Sequence, residues 1–145
     1  MLYCNYMDSE LIALFADHHL RVTAPRVAIL KIFKNATALL SPIEIAKTNP
    51  TIDKVSIYRT IEVFEKIGLI TSVTHGWKQR YELAAPFRPH HHHLLCNNCG
   101  TIEEIQSEKL EKMIHILADE QGFEVTGHTF EINGLCRQCR IARTG

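Results

Sequence analysis

The stretch HHHHLLCNNCG, residues 90–100, places four consecutive histidines, two leucines and a C-x-x-C pair in direct succession. Three interpretations are open for it: a purification tag, a single zinc knuckle, or several metal sites on one short strand. A tag has no reason to run directly into an apolar pair and a cysteine knuckle, and this run lies far from either end of the sequence. The stretch therefore indicates metal binding.

A second C-x-x-C pair, Cys136 and Cys139, matches the first pair, Cys96 and Cys99. Two pairs of thiolates on tight turns can enclose zinc in a tetrahedron of sulfurs, and Gly100 gives the first turn backbone freedom. Structural zinc contributes about 10–16 kcal/mol of apparent binding free energy in small peptides, enough to stabilise a folded module with a small apolar core. Four sulfurs leave no open coordination position, so we expect a structural site. The alternative is a thioredoxin-like redox pair, which needs only one C-x-x-C.

The histidine run can also form an extended strand. In an extended chain, alternate side chains project from opposite faces, so His91 and His93 share one face while His90 and His92 share the other. One strand can thus serve two separate ions. Imidazole combined with carboxylate oxygen suits zinc, iron(II) or manganese. The further candidate ligands are Glu103, Glu104, Glu111 and His128 in the same module, and Glu82 before it.

Composition predicts a soluble globular protein. The chain has 145 residues, of which 46% are hydrophobic and 22% are charged, enough for one ordinary domain or two small ones. It has no apolar run of 18 residues and no signal-peptide pattern at its start, so we expect a cytoplasmic protein without a membrane partner. In a reducing compartment, paired cysteines favour metal over disulfides. Cys4 is left over as an incidental thiol.

The charge is uneven although the formal net charge is zero. Residues 1–85 hold ten Lys and Arg against eight Asp and Glu, whereas residues 86–145 hold six against eight and six of the nine histidines. The first part therefore leans basic, and the second is acidic and rich in metal ligands. A net charge of +2 is a weak signal for nucleic-acid binding and needs a motif in support.

Helix-start signals predict four helices in the first part of the chain. The predicted N-cap residues are Ser9, Thr23, Ser41 and Asp53. The third start is a capping box, because Glu44 follows Ser41 by three residues. The fourth helix spans residues 54–67 and stops at Gly68.

The fourth helix has a core face and an outward face. At 100° per residue, one side carries Ile57, Thr60, Ile61, Phe64 and Ile67, and the other carries Val55, Tyr58, Arg59, Glu62 and Lys66. The segments LITSVTH and KQRYEL then form a hairpin that bends at Gly76 and Trp77. Helices followed by such a wing predict a winged helix-turn-helix, whose recognition helix enters the DNA major groove. A helical bundle with an incidental hairpin is the alternative.

The segment AAPFRP, residues 84–89, has two prolines and predicts a hinge. Beyond it we expect strands at residues 90–95 and 101–105, a helix capped by Ser107 that ends near Gly122, and a last strand at residues 123–132. The fold class is α+β, with a winged helix-turn-helix at residues 1–84, a hinge at 85–89 and an α/β metal-binding domain at 90–145.

The sequence offers no support for an enzyme. The H-x-E and P-C-x-x-C pattern of zinc deaminases is absent, and so are H-E-x-x-H, G-x-S-x-G and a P-loop. We therefore expect a binding protein without catalytic residues.

In order along the chain, the motifs RVTAPRVAIL, SIYRTIEVFEKIGLI, RYEL, HHHHLLCNNCGTIEEI and GFEVTGHTFEINGLCRQC resemble the ferric uptake regulator (Fur) superfamily of metal-sensing repressors. The resemblance covers nearly the whole chain, from about residue 20 to residue 140. It implies a winged-helix domain, a hinge and a dimerisation domain that carries a structural Cys4 zinc. It also implies a homodimer whose regulatory metal fixes the two DNA-binding domains for a palindromic operator.

The resemblance also implies site residues, position by position. The regulatory metal site would take Glu82, His91, His93 and Glu104. A further metal site would take His90, His92, Glu111 and His128. The DNA-binding residues would be Arg21, Ser56, Tyr58 and Arg59.

Two departures from the family pattern bear on the metal. The segment NATALLSP before the third helix has no histidine, where iron- and peroxide-sensing members commonly have one. The segment GHTFEINGLCRQC and the histidine at the second position of the further site are more similar to the zinc uptake regulator (Zur) branch, although Ala84 and Ala85 stand where many members of that branch have a cysteine. We expect a zinc sensor. The alternatives are an iron(II)- or manganese-responsive repressor, a peroxide sensor and a zinc-storage protein.

Overall fold

The computed structural model describes residues 12–75 and 77–144. It divides into two compact units, the first ending at Pro89 and the second beginning at His90. The predicted cap Ser9, the leftover thiol Cys4 and the bend residue Gly76 lie outside the described residues. In the part of the chain that is described, no helix is both long and apolar enough to cross a membrane.

The first unit contains helices at the predicted places. Residues 12–17 belong to α1, and they are followed by α2 (Ala24–Asn35), α3 (Pro42–Thr48) and α4 (Lys54–Lys66). Thr23 occupies the N-cap of α2, with a proline in the first turn. Proline is tolerated there because the first helical N–H groups have no partner within the helix.

Side chains cap α3 and α4 as the sequence predicts. The backbone N–H of Ser41 donates to Oε2 of Glu44 at 2.7 Å, and the backbone N–H of Glu44 donates to Oγ of Ser41 at 3.3 Å. At the start of α4, the backbone N–H of Ser56 donates to Oδ1 of Asp53 at 2.9 Å. Gly68, with φ of +71°, follows the end of α4.

The core of the first unit lies between α2, α3, α4 and the hairpin. On α4 the buried residues are Ile57, Thr60, Ile61 and Phe64, which confirms four members of the predicted core face, and the fifth, Ile67, is a half-buried C-cap residue that packs against the core. Phe64 stacks on Phe15 with ring centroids 5.9 Å apart. Val55 and Tyr58 on the opposite face are exposed.

The wing is an antiparallel pair of strands, β1 (Ile70–His75) and β2 (Lys78–Leu83). Leu40 pairs with Tyr81 through two backbone hydrogen bonds of 2.8 Å, so the chain before α3 is tied to β2. Arg80 reinforces this connection, because its guanidinium donates to the carbonyl of Leu39 at 3.1 Å. The first unit is therefore a winged helix-turn-helix.

The second unit is built on a three-stranded sheet in the order β4-β3-β5. The strands are β3 (His92–Cys96), β4 (Ile102–Ile105) and β5 (Glu131–Gly134), and β3 runs antiparallel to β4 and parallel to β5. Helix α5 (Glu108–Glu120) begins after Ser107, whose hydroxyl accepts from the backbone N–H of Leu110 at 3.3 Å. A final helix, α6 (Arg137–Thr144), follows β5.

The structure of this unit differs from the prediction in three places. The predicted last strand at residues 123–132 is a strand only from Glu131 to Gly134, because the residues that pair with β5 on β3 are limited to 93–96. Helix α6 was not predicted, since the sequence RQCRIART has little apolar content to mark it. The first strand also begins at His92, two residues after the predicted start.

The apolar core of the second unit is small. Among its described hydrophobic residues, Leu95 and Cys96 are buried, whereas no residue of α5 is buried. The apolar side chains exposed on α5 are Met113, Ile116 and Leu117. Within its own chain, this unit therefore gains little stability from apolar burial.

We expect Ser41→Ala to lower the free energy of unfolding of the first unit by about 1 kcal/mol, because α3 loses its capping side chain. Ser41→Thr is the matched control, since it keeps a hydroxyl at the N-cap. Urea denaturation followed by circular dichroism measures both variants. Equal stabilities of the alanine and threonine variants would contradict the role of the capping box.

Candidate metal centres

The four predicted cysteines come together in the second unit. The Sγ atoms of Cys96, Cys99, Cys136 and Cys139 all lie within 4.8 Å of one another. Cys99 and Cys136 are 3.7 Å apart. A zinc ion with four Zn–S bonds of about 2.3 Å requires S···S distances of about 3.8 Å. The cluster therefore fits a tetrahedral zinc.

Local backbone structure holds this cluster. Cys96 ends β3, and the N–H of Gly100 donates to the carbonyl of Cys96 at 3.0 Å, which closes the first knuckle. Gly100 has φ of +75°, the conformation for which glycine was expected here. The N–H of Asn97 donates to the carbonyl of Gly134 at 2.8 Å, which brings the second knuckle beside the first.

The thiols differ in acidity because hydrogen-bond donors surround some sulfur atoms more closely than others. Backbone N–H groups, first that of Cys136 and then that of Cys99, donate to the sulfur of Cys96 and lower the pKa of this thiol to about 5. The Asn98 amide also donates to Cys139, but the thiols of Cys136 and Cys99 raise the pKa of Cys139 to about 11. Four adjacent thiolates need a cation to balance their charge, which zinc supplies.

The second cluster joins β3, α5 and the segment before β5. His90, His92, Glu111 and His128 offer ligand atoms that all lie within 4.8 Å of one another. Nε2 of His90 is 2.9 Å from Nε2 of His128, and Nε2 of His92 is 2.6 Å from Oε1 of Glu111. Glu111 also lies 3.4 Å from His90 and 3.3 Å from His128. The structure thus brings together the four residues that the resemblance assigns to the further metal site.

Two of these distances, 3.4 and 3.3 Å, equal those around a small tetrahedral ion, whereas those of 2.9 and 2.6 Å have the length of hydrogen bonds. Bonds of about 2.0–2.1 Å from zinc to nitrogen and oxygen imply ligand-to-ligand distances of about 3.4 Å. The protonation states fit as well, because partial burial lowers the pKa of His90 and the hydrogen bond from His92 lowers the pKa of Glu111. Neutral imidazole and ionised carboxylate are the forms that bind metal.

The third cluster uses the opposite face of β3. Nε2 of His91 is 4.0 Å from Oε2 of Glu104, and the rings of His91 and His93 meet edge to face with centroids 4.9 Å apart. Strand pairing places Glu104 directly opposite His93. The second unit thus supplies three donors, two nitrogens and one oxygen, to this cluster.

Glu82, the fourth predicted ligand of this regulatory site, belongs to the first unit. It lies on β2, and its Oε2 accepts from Nη1 of Arg88 at 2.6 Å. Its place in the regulatory set stays a prediction. Glu103, a further candidate, pairs with Leu94 in the sheet and belongs to none of the three clusters.

The predicted DNA-binding residues lie in the first unit. Tyr58 and Arg59 are exposed on α4, and Arg21 is exposed before α2, where its carbonyl accepts from Nη1 of Arg26 at 2.6 Å. The hydroxyl of Ser56 donates to Oδ2 of Asp53 at 2.6 Å and so takes part in the cap of α4. The sequence analysis missed this second role of Ser56. The signal that could have found it is the position of a serine three residues after an N-cap Asp.

Comparisons with known proteins agree with this architecture. The sequence model of the Ferric uptake regulator family matches residues 17–133. The chain is similar to the Ferric uptake regulation protein of Campylobacter jejuni, with 32% identity over 83% of this chain and 80% of the relative. It is also 30% identical to the Peroxide-responsive repressor PerR of Staphylococcus aureus over 90% of both chains.

A solved structure shares the fold. The Helicobacter pylori ferric uptake regulator Fur, described as having three functional metal binding sites, matches with a TM-score of 0.79. That match covers 94% of this chain and 93% of the other at 22% identity. At this identity the likeness establishes the fold alone.

A winged helix-turn-helix joined to a small α/β unit with clustered metal ligands defines a transcriptional regulator of the metal-responsive class, not an enzyme. The matched family model and relatives specify it further. The chain belongs to the ferric uptake regulator family.

We expect Cys99→Ser to unfold the second unit, because the loss of one thiolate weakens the metal site and the apolar core there is small. Circular dichroism, size-exclusion chromatography and elemental analysis measure the effect. Cys4→Ser is the matched control, since Cys4 stands outside both C-x-x-C pairs. A Cys99→Ser protein with unchanged zinc content and unchanged circular dichroism would contradict a structural role for the cluster.

We expect Glu111→Gln to lower the metal content by about one equivalent per chain, because a neutral amide oxygen is a much weaker ligand than a carboxylate. Elemental analysis after dialysis against a weak chelator measures the stoichiometry. Glu108→Gln, an exposed change in the same helical turn, is the control. If both variants retained the full metal content, the second cluster would not be a metal site.

Proposed function

We propose that this protein is a metal-dependent DNA-binding repressor that acts as a homodimer in the cytoplasm and controls metal-uptake genes. The observation that carries the proposal is the third cluster, in which His91, His93 and Glu104 converge. Three donors from one unit leave a coordination position for a ligand from elsewhere in the chain. The family resemblance assigns Glu82, on the wing of the DNA-binding unit, to that position.

This ligand set accounts for a response to metal. A metal bound by Glu82 together with His91 and His93 provides a link between the DNA-binding unit and the second unit. A change from 1:99 to 99:1 in favour of one arrangement requires a differential affinity of about 5.5 kcal/mol. We therefore expect the loss of Glu82 or His93 to impair the regulation of DNA binding by metal.

The outward face of α4 supports DNA as the partner. Tyr58 and Arg59 follow each other on the exposed side of the helix that occupies the recognition position of the winged helix-turn-helix. The recognition helix of this fold enters the major groove, and phosphate contacts from the wing and neighbouring helices position it. Arg21 is available for such a contact or for the minor groove. A zinc-storage protein has no use for this face.

Exposed apolar side chains support a homodimer formed through the second unit. On α5 they are Met113, Ile116 and Leu117, and beyond it Phe123, Phe130, Ile132 and Leu135. A patch of this kind on a small unit marks a protein interface. A symmetric dimer places two recognition helices for the two halves of a palindromic operator.

We propose zinc as the regulatory metal. The absence of a histidine in NATALLSP and the likeness of GHTFEINGLCRQC to the Zur branch support it. The second cluster, with three imidazole nitrogens and one carboxylate within 4.8 Å of one another, is also a ligand set that zinc accepts.

An iron(II)-responsive or peroxide-sensing repressor is the second candidate. The relatives at 32% and 30% identity, named for ferric uptake regulation and for peroxide response, favour it. The two nitrogens and one oxygen of the third cluster accept iron(II) and manganese as well as zinc. Operator binding with each metal in turn, followed by exposure to peroxide, separates the candidates: only a peroxide sensor loses binding irreversibly when it is loaded with iron.

We expect Glu82→Ala and His93→Ala to abolish metal-dependent operator binding, because each removes a ligand that the regulatory metal needs. A gel-shift titration with added zinc measures binding. His115→Ala is the matched control, since His115 is exposed on α5 and belongs to none of the clusters. Circular dichroism of each variant confirms folding. Metal-dependent binding at the wild-type level in both ligand variants would contradict the proposed regulatory site.

A further inference from the structure

The N-terminal turn of α4 presents one apolar side chain that the core does not use. Val55 is 56% exposed, as is Tyr58, while Ile57 between them is fully buried. Residues three and four apart share one helix face, so Val55 lies beside Tyr58 and Arg59 on the outward side. A β-branched residue is also a poor choice for an exposed helix position, because it lowers helix propensity. The folding of the first unit therefore gives no reason for a valine here.

The residues on either side of Val55 have chemical roles that Val55 cannot share. Ser56 is committed to the helix cap, because its hydroxyl donates to Asp53 at 2.6 Å. Lys54 in the same turn is exposed and carries a charge that suits a phosphate. Val55 is thus the first outward side chain on this helix without a charge or a hydrogen-bonding group.

The major groove of DNA offers one kind of apolar group. Base edges there present hydrogen-bond donors and acceptors, and only thymine adds a methyl group, at C5. The N-terminal residues of a recognition helix are those that reach base edges. An isolated apolar side chain in this turn is therefore matched to a thymine methyl and to no other feature of the groove.

We infer that Val55 is a specificity-determining residue, which contacts the C5 methyl group of a thymine in each operator half-site. This inference rests on the proposed function as a DNA-binding repressor. It adds that part of the sequence preference comes from apolar contact, beside the hydrogen bonds available to Tyr58 and Arg59.

Replacing thymine with uracil removes the methyl group and leaves base pairing intact, so it isolates this contact. An operator is first selected from a random DNA pool with the zinc-loaded wild-type protein. Each thymine of a half-site is then replaced singly by uracil, and dissociation constants are measured for the wild-type protein, Val55→Ala and Tyr58→Phe. Alanine is favourable in a helix, so Val55→Ala keeps the fold.

For the wild-type protein, we expect uracil at one position of each half-site to weaken binding about fourfold, the value of one buried methyl group. Val55→Ala shows a smaller difference between the thymine and uracil operators at that position, because alanine is shorter, whereas Tyr58→Phe keeps the full difference. The inference is overturned if Val55→Ala retains the full uracil penalty at every position, or if no single thymine matters to the wild-type protein. Failure to select any DNA with metal present would instead overturn the proposed function, and the inference with it.

Discussion

We expect the second unit to depend on the four sulfur atoms that its two C-x-x-C pairs bring together. Its described apolar core is limited to the neighbourhood of Leu95 and Cys96, and α5 buries none of its residues. The two knuckles join the end of β3 to the segment after β5, which otherwise meet only through a short parallel pairing. A closed tetrahedral zinc site supplies folding free energy of the same order as the total stability of a domain, about 5–15 kcal/mol. In this way the histidine clusters can be formed on a sheet that buries few apolar side chains within its own chain.

The four histidines that lead into and begin β3 distribute the ligands among the clusters by simple alternation. Even-numbered histidines face Glu111 on α5, and odd-numbered histidines face Glu104 on β4. The alternation is a geometric property of an extended chain and needs no special backbone conformation. Antiparallel pairing with β4 then fixes Glu104 opposite His93. A small number of strand residues thus supports chemically different sites, one rich in sulfur and the others rich in nitrogen.

Local signals in the sequence were sufficient for much of this structure. The caps at Ser41 and Asp53 were predictable because they depend on hydrogen bonds between residues only three positions apart. The cysteine cluster and the division of the histidines followed from spacing and strand period.

Features that depend on distant partners were harder to predict. The last strand is four residues long because it pairs only with residues 93–96 of β3, and the sequence of residues 123–130 does not indicate where this pairing begins. Helix α6 has few apolar residues, and its sequence resembles a polar tail. The additional role of Ser56 in the helix cap depends on the orientation of one hydroxyl. The assignment of His128 and Glu111 to one cluster came from the family resemblance, since 17 positions separate them (128 − 111) and no local pattern connects them.

The position of Cys96 at the end of the strand that carries His92 and His93 has a thermodynamic consequence. An ion bound at any one centre restricts the same short backbone segment that the other centres must order for themselves. Metal binding to one of the proposed sites is therefore linked to metal binding at the others. Each bound ion lowers the entropy cost of ordering the ligands of the next site. We therefore expect metal affinities of the histidine clusters to differ between chains with an empty and with a filled cysteine cluster.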